Sequence, residues 1–124
     1  MANVSISIDV PDLDAAQDFY CGALPCTFIE DDEHGIRILD AGNVRIYLLK
    51  KPEGSLPFKA SNTRRDYGRH WCPIHLDFGT SNIEEAVAAV EAHGGTVEGS
   101  DSGAWGSIAY CADPFGNGFC LINE

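Results

Sequence analysis

Basic residues are scarce in this sequence. Its 124 residues include 8 Lys and Arg against 19 Asp and Glu, which gives a formal net charge of −11. A nucleic-acid-binding surface needs clustered Lys and Arg to neutralise phosphates, so this balance argues against a nucleic-acid partner. It also argues against binding to anionic membranes. No window approaches the ~18 consecutive apolar residues of a membrane span.

Export signals and paired cysteines are also missing. Residues 1–4 contain no basic residue and no apolar core, so nothing in them indicates secretion. The five cysteines are an odd number, and none lies in a C-x-x-C pair. We therefore expect reduced thiols and a cytoplasmic location.

The basic residues that are present are unevenly placed. Seven of the eight lie between positions 45 and 69. Two interpretations stay open for this segment. It is either a solvated loop whose charges offset the acidic remainder, or a loop that guides an anionic ligand toward a binding site.

The first half of the chain predicts the order βαβββ. Residues 5–10 alternate apolar and polar side chains, as in a half-buried strand. Asp12 can cap the helix that follows, whose apolar residues recur at helical spacing. Turn-like breaks then separate three short strands, expected at 27–30, 35–39 and 44–49.

The second half repeats this order after an irregular loop at 51–70. Its expected elements are a strand at 74–78, a helix capped around 81–84, and strands at 96–98, 105–111 and 118–123. A shift of 70 residues aligns Asp12–Ala16 with Asn82–Ala86. We therefore predict an α+β fold with two βαβββ modules, about 3–50 and about 71–124, in one domain over 1–124.

The stretch Cys72–Phe78 is the centre of the predicted site. Side chains on a strand point to alternate faces, so Ile74, Leu76 and Phe78 share one face and His75 and Asp77 share the other. The apolar face can pack on the following helix. The polar face is then expected to look into a cavity.

Four segments of the chain carry a family resemblance: Val10–Leu13 leading into Phe19 and Tyr20, His75–Phe78, Gly94–Val97 and Asp113–Leu121. The last segment is the most specific, because it has Asp-Pro-x-Gly-Asn before a short apolar strand. Together they resemble the vicinal oxygen chelate superfamily, which includes glyoxalase I, extradiol dioxygenases, and fosfomycin and bleomycin resistance proteins. The glyoxalase-like members of this superfamily are the most similar.

The resemblance implies an architecture and a site. The two modules would form a cupped mixed sheet with helices on its outer face, and the cup would hold a small molecule. Homodimers are common in such proteins, and a partner chain sometimes completes the cup. The residues expected to line it are Ser5, Ser7, Arg45, Tyr47, His75, Asp77, Trp105, Tyr110 and Cys120.

The resemblance also implies four positions for metal ligands, which fall on Ser5, Tyr47, His75 and Cys120. The metal-dependent members typically have His or Gln, Glu, His and Glu there, so only His75 is a convincing match. A divalent metal (zinc, nickel, manganese or iron) would therefore bind at a largely degenerate site. Asp77 shares the face of His75 and could add a carboxylate.

The roles of the individual residues stay open. His75 is either a metal ligand or a cavity residue that forms hydrogen bonds. Cys120 is either a nucleophile activated by His75 or a small buried apolar residue. Arg45 and Tyr47 either bind an anionic ligand group or fill the interior.

Three functions are consistent with these observations. The first is a small-molecule binder like the bleomycin resistance proteins, with no chemistry in the cup. The second is a metal-dependent glyoxalase-like lyase or isomerase that uses His75. The third is an extradiol dioxygenase, which is disfavoured because two members of the 2-His-1-carboxylate set are missing. The acidic charge favours a cationic ligand, whereas Arg45 and the basic loop favour an anionic one.

Overall fold

The computed structural model describes residues 4–123, so the expected module limits at residues 3 and 124 lie outside the described residues. Ten elements follow one another along the chain: β1 (Ile6–Val10), α1 (Leu13–Gly22), β2 (Thr27–Asp31), β3 (Arg37–Asp40), β4 (Arg45–Lys50), β5 (Leu76–Gly79), α2 (Ile83–Ala92), β6 (Thr96–Gly103), β7 (Gly106–Ala112) and β8 (Gly118–Asn123). Neither described helix is long and apolar enough to cross a membrane.

The strands form two mixed sheets of the same topology. The first sheet has the order β1-β4-β3-β2, and the second has the order β5-β8-β7-β6. In each sheet the first and last strands of the module pair in parallel, and the other pairs are antiparallel. The predicted α+β fold with two βαβββ modules is therefore confirmed.

Both helices begin at the residues that can cap them. The side chain of Asp12 accepts a hydrogen bond from the backbone N–H of Ala15 at 3.0 Å. In the second module, Asn82 accepts from Glu85 at 3.1 Å, so the cap lies at Asn82 and not at Ser81. Each cap satisfies a backbone donor that the first helical turn leaves without an internal partner.

The two modules share one apolar core. Phe19 of α1 is 1% exposed, and its ring meets Phe119 of β8 edge to face at 5.9 Å. Phe119 in turn meets Phe78 of β5 at 5.8 Å. The helix of the first module therefore packs into the second module, and neither sheet buries its apolar face alone.

Asp113 is the one charged side chain among the buried described residues, and it is fully hydrogen-bonded. Its carboxylate accepts from the backbone N–H groups of Phe115 and Asn117, and from the side-chain amide of Asn117, at 2.8–2.9 Å. It also accepts from the hydroxyl of Tyr20 in α1 at 2.6 Å. Burial, followed by the Asp113 charge, raises the pKa of Tyr20 well above its ordinary value, so Tyr20 stays a donor.

Residues 51–70 contain no helix or strand, as the sequence predicts. We call this segment the strap, because it is tied to both sheets. Arg65 binds Asp9 of β1 at 2.7 Å, and Arg69 binds Glu98 of β6 at 2.7 Å. Two of its basic residues are therefore paired with carboxylates of the sheets.

The strap also rests on the β7–β8 turn at Gly116. Gly116 has a φ of +86°, and a Cβ there would lie 2.6 Å from the carbonyl oxygen of Gly68. Only glycine combines this left-handed conformation with so close a backbone approach. The turn held by Asp113 is therefore also the support on which the strap lies.

Several strand limits differ from the predictions, and three of them bear on the site. The strand predicted at 74–78 begins at Leu76, because its partner β8 begins only at Gly118 and the ladder starts at the pair Leu76–Phe119. Ile74 is consequently 81% exposed and does not join the apolar face. Trp105 lies in the turn before β7, and β6 extends past the predicted end to Gly103.

We predict that Tyr20→Phe lowers the free energy of unfolding by about 1.5–3 kcal/mol, because it removes a buried hydrogen bond to a carboxylate. Urea denaturation measures this change. The control is Tyr110→Phe, since Tyr110 is 44% exposed; its expected effect is within about 0.5 kcal/mol. Equal midpoints for Tyr20→Phe and the unmodified protein would show that the Tyr20–Asp113 contact contributes nothing.

Candidate functional site

One face of the second sheet is open and carries the predicted polar residues. Asp77 of β5 lies opposite Cys120 of β8, and Cys120 lies opposite Tyr110 of β7, so all three point to the same side. His75 precedes β5 by one residue. The alternate residues of these strands, such as Phe119 and Leu121, are buried in the core on the other side.

His75, Tyr110 and Cys120 border a cavity of about 340 Å³, which we call the His75 pocket, and Asp77 contacts His75 without lining this cavity. Its lining residues come from the strap, from the segment before β5, and from β6, β7 and β8: Arg69, Trp71, Cys72, Pro73, His75, Glu98, Tyr110, Cys111, Gly118, Phe119 and Cys120. A cavity of this size with aromatic walls and a few converging polar groups is typical of small-molecule sites.

His75 is held by two neighbours at the same ring nitrogen. Its Nδ1 lies 2.7 Å from Oδ1 of Asp77 and 3.8 Å from Sγ of Cys120. His75 and Asp77 are each exposed over nearly half of their side chains, whereas Cys120 is 5% exposed. The cluster therefore has a buried thiol at its base and an imidazole and a carboxylate at its surface.

Cys120 is a protonated thiol in this setting. Burial raises its pKa above the ordinary thiol value, and the Asp77 charge and a hydrogen bond to Asp77 raise it further. A nucleophilic thiolate needs the opposite shift. The arrangement thus favours a packing and hydrogen-bonding role for Cys120 over a nucleophilic one. Cys111 beside it is also buried, with its pKa raised to about 11.

Arg69 extends from the strap over the start of β8. Its guanidinium binds Glu98 through Nε–Oε2 at 2.7 Å and Nη2–Oε1 at 2.8 Å. A Cβ at residue 118 would lie 2.9 Å from this guanidinium, so the absence of a side chain at Gly118 lets Arg69 approach the strand. The hydrogen bonds to Arg69 lower the pKa of Glu98, and the pair stays ionised at one edge of the pocket.

The other predicted residues lie elsewhere. Ser7 and Tyr47 are paired in register on the open face of the first sheet, with Arg45 at the beginning of β4 and Ser5 just before β1. None of these four is among the described residues that line the His75 pocket. Trp105 lies in the β6–β7 turn, close to Gly103, and is also outside the lining.

Of the eleven described lining residues, only His75, Tyr110 and Cys120 were among the predicted site residues, and those that were missed include Arg69, Glu98 and Cys72. Arg69 and Glu98 are brought together across 29 positions by the path of the strap, which no local pattern encodes. Cys72 is exposed and lies in the segment just before β5. Its position three residues before His75 was the signal that could have identified Cys72 as a residue of the pocket.

The residues present fit one kind of metal ion. Possible ligand atoms of His75, Asp77 and Cys120 all lie within 4.8 Å of one another. This nitrogen, oxygen and sulfur set suits zinc, whereas a hard ion such as Mn²⁺ prefers oxygen ligands. The cluster contains one histidine, so it does not supply a 2-His-1-carboxylate set.

A family model for the glyoxalase-like domain matches residues 5–122. The chain therefore belongs to the glyoxalase-like domain family, which lies within the vicinal oxygen chelate superfamily, as the sequence motifs indicated. A search of curated proteins found no match.

Solved structures share the fold over nearly the whole chain. A fosfomycin resistance protein from Listeria monocytogenes is 16% identical, with a TM-score of 0.73, 100% of this chain covered and 93% of the other. An integron cassette protein from V. cholerae is 25% identical, with a TM-score of 0.66 and coverages of 100% and 96%. A lactoylglutathione lyase from Agrobacterium tumefaciens is 20% identical, with a TM-score of 0.67 and coverages of 99% and 93%.

Proposed function

We propose that this protein binds a small molecule in the His75 pocket, with a largely degenerate metal site. The observation that carries the proposal is the convergence of His75, Asp77, Tyr110 and Cys120 on an open sheet face beside a cavity of about 340 Å³. Binding without chemistry, as in bleomycin resistance proteins, agrees with the protonated state of Cys120.

The fold neighbours support a small-molecule site. A variant of the fosfomycin resistance protein from Listeria monocytogenes, 14% identical with a TM-score of 0.71, was solved with Mn(II) and 1S,2S-dihydroxypropylphosphonic acid. A metal and a small ligand therefore share one complex on this fold. In the present chain, the cluster of His75, Asp77 and Cys120 is the candidate position for such a ligand.

A thermal-shift screen tests the binding proposal with basic glycopeptide antibiotics, small carboxylates and neutral fragments. Compounds that stabilise the protein should lose about tenfold in affinity with His75→Ala or Tyr110→Ala, because each change removes a wall of the pocket. Val87→Ala, on the helix side of the second sheet, is the matched control and should leave the affinity unchanged. Binders whose affinity survives both pocket substitutions would contradict the proposal.

A second candidate is a metal-dependent lyase or isomerase, favoured by the ligand cluster at the pocket. His75, Asp77 and Cys120 would hold a zinc-like ion. When bound, such an ion polarises an oxygen atom of the substrate as a Lewis acid. Tyr110 and Arg69 would then position the substrate beside the cluster.

Metal analysis separates the two candidates. Protein purified without chelators should contain stoichiometric zinc, nickel, manganese or iron if the second candidate is correct. Added Co²⁺ should then give a sulfur-to-cobalt charge-transfer band in the near ultraviolet that is lost in Cys120→Ser and in His75→Ala. Cys72→Ser, with its thiol in the same pocket, is the control and should retain the band. Absence of both bound metal and the band would contradict metal-dependent catalysis.

We also propose that the protein is a cytoplasmic homodimer. Trp71 and Ile74 are 80% and 81% exposed, and they lie together on the segment that leads into β5. Large apolar side chains exposed beside a pocket are typical of an interaction surface. A second copy that covers them could bring its own Arg45 and Tyr47 toward the His75 pocket. The five free thiols are consistent with a reducing compartment.

Sedimentation equilibrium tests the dimer. The unmodified protein should have twice the mass of its 13.4 kDa chain, and Trp71→Glu should shift it toward monomer. Phe28→Glu is the control, because Phe28 is exposed on β2, at the far edge of the first sheet. A monomer at all concentrations would refute the dimer.

A further inference from the structure

A second cavity adjoins the His75 pocket on the side of β1. It has a volume of about 220 Å³ and lies between β1, the segment leading into β5, and the start of β8. We call it the slot. Its lining residues are Ile6, Ser7, Ile8, Tyr20, Ile74, His75, Leu76, Asn117, Gly118 and Phe119.

The slot and the His75 pocket share part of their lining. His75, Gly118 and Phe119 line both cavities, so these three residues lie between the slot and the pocket. The character of the walls changes across this point. On one side are aromatic rings, thiols and an ion pair, and on the other the walls are mainly Ile, Leu and Phe side chains.

Building on the proposed binding at the His75 pocket, we infer that the ligand is an uncharged amphiphile. Its apolar chain occupies the slot, and its hydrogen-bonding head, such as a hydroxyl, lies at His75. Neither cavity alone specifies this class. It follows from the few polar groups of the pocket and the apolar walls of the slot, which share His75 in their lining.

The walls of the slot favour an apolar chain. Ile6 and Ile8 of β1 line the slot together with Leu76 and Phe119, and the Tyr20 hydroxyl and the Asn117 amide in the same lining donate to Asp113. A polar group placed among these apolar side chains would lose its hydration. Each methylene buried there contributes about 0.8 kcal/mol, which corresponds to roughly fourfold in affinity.

The existing contacts of Arg69 and Asp77 at the pocket favour an uncharged head. The Arg69 guanidinium is bound to Glu98 through two contacts, and the Asp77 carboxylate is bound to His75. A carboxylate ligand would compete with Glu98 for Arg69, and an ammonium ligand would compete with His75 for Asp77. Each charged head therefore breaks an existing pair, whereas a neutral head leaves both intact.

The test uses the full-length protein and a series of primary n-alkanols with four to ten carbons, followed by methyl and amide NMR titration. We expect the Kd to fall about fourfold per methylene until the slot is full, and then to stop falling. The methyl resonances of Ile6, Ile8 and Leu76 should shift along with the signals of His75. The n-alkylammonium and n-alkanoate ions of equal length should bind more weakly.

Two substitutions of one slot residue should move the preferred chain length in opposite directions. Ile8→Phe fills the slot and should shorten the longest alkanol that still gains affinity, while Ile8→Ala should lengthen it. A structural defect alone would not shift the preferred chain length in opposite directions in the two variants. Ile83→Phe, in the separate groove between α2 and the β6–β7 hairpin, is the control and should leave the series unchanged.

The outcomes distinguish this inference from the proposal on which it rests. Ligands that bind at His75 and Tyr110 with no dependence on chain length, or with no shifts of Ile6 and Ile8, would overturn the amphiphile and leave binding in the His75 pocket standing. Tighter binding of either charged series would overturn the neutral head. If the Ile8 variants do not fold, the chain-length series and the shift map on the unmodified protein decide the question.

Discussion

The buried carboxylate of Asp113 is the constraint on which the rest of the structure depends. A carboxylate with 4% exposure is stable only when its lone pairs are occupied, and here four donors occupy them. Three of these donors shape the β7–β8 turn, and the fourth is the hydroxyl of Tyr20 from the other module. The same turn carries Gly116, on which the strap lies. One side chain thus joins the two modules and supports the segment that borders the pocket.

The charge distribution is organised in local pairs around the site. Seven basic residues in a chain of net charge −11 first indicated either a solvated loop or a guide for anions. Within the described residues, the ion pairs of this segment are Arg65 with Asp9 and Arg69 with Glu98, one to each sheet. The Arg69–Glu98 pair is partly exposed on both sides, and exposed pairs contribute little to stability. Their larger effect here is geometric, because they fix the course of the strap and bring a guanidinium to the edge of the cavity.

Sequence patterns predicted the fold well and the site in part, and the difference has a physical cause. Alternation and helical spacing are local, so the βαβββ order and the cap at Asp12 could be read directly, and period two placed His75 and Asp77 on one face. The start of β5 was misplaced because strand limits depend on the partner strand, and β8 begins too late to pair with Ile74. The Arg69–Glu98 contact could not be anticipated, since the strap has no periodicity. Arg45 and Tyr47 were correctly placed on one strand, but strand position alone does not say which cavity a residue lines.

The contact between His75 and Asp77 also determines the direction of hydrogen bonding at the other edge of the ring. A carboxylate can only accept, so in the neutral imidazole Nδ1 carries the proton that points to Asp77. Nε2 is then left with its lone pair. Nε2 therefore accepts a hydrogen bond from a ligand hydroxyl or N–H group. A carbonyl or ether oxygen of a ligand finds no donor at Nε2. The Asp77 carboxylate thereby selects one of the two neutral tautomers of His75. That choice makes Nε2 a site for ligand groups that donate a hydrogen bond and not for groups that only accept one.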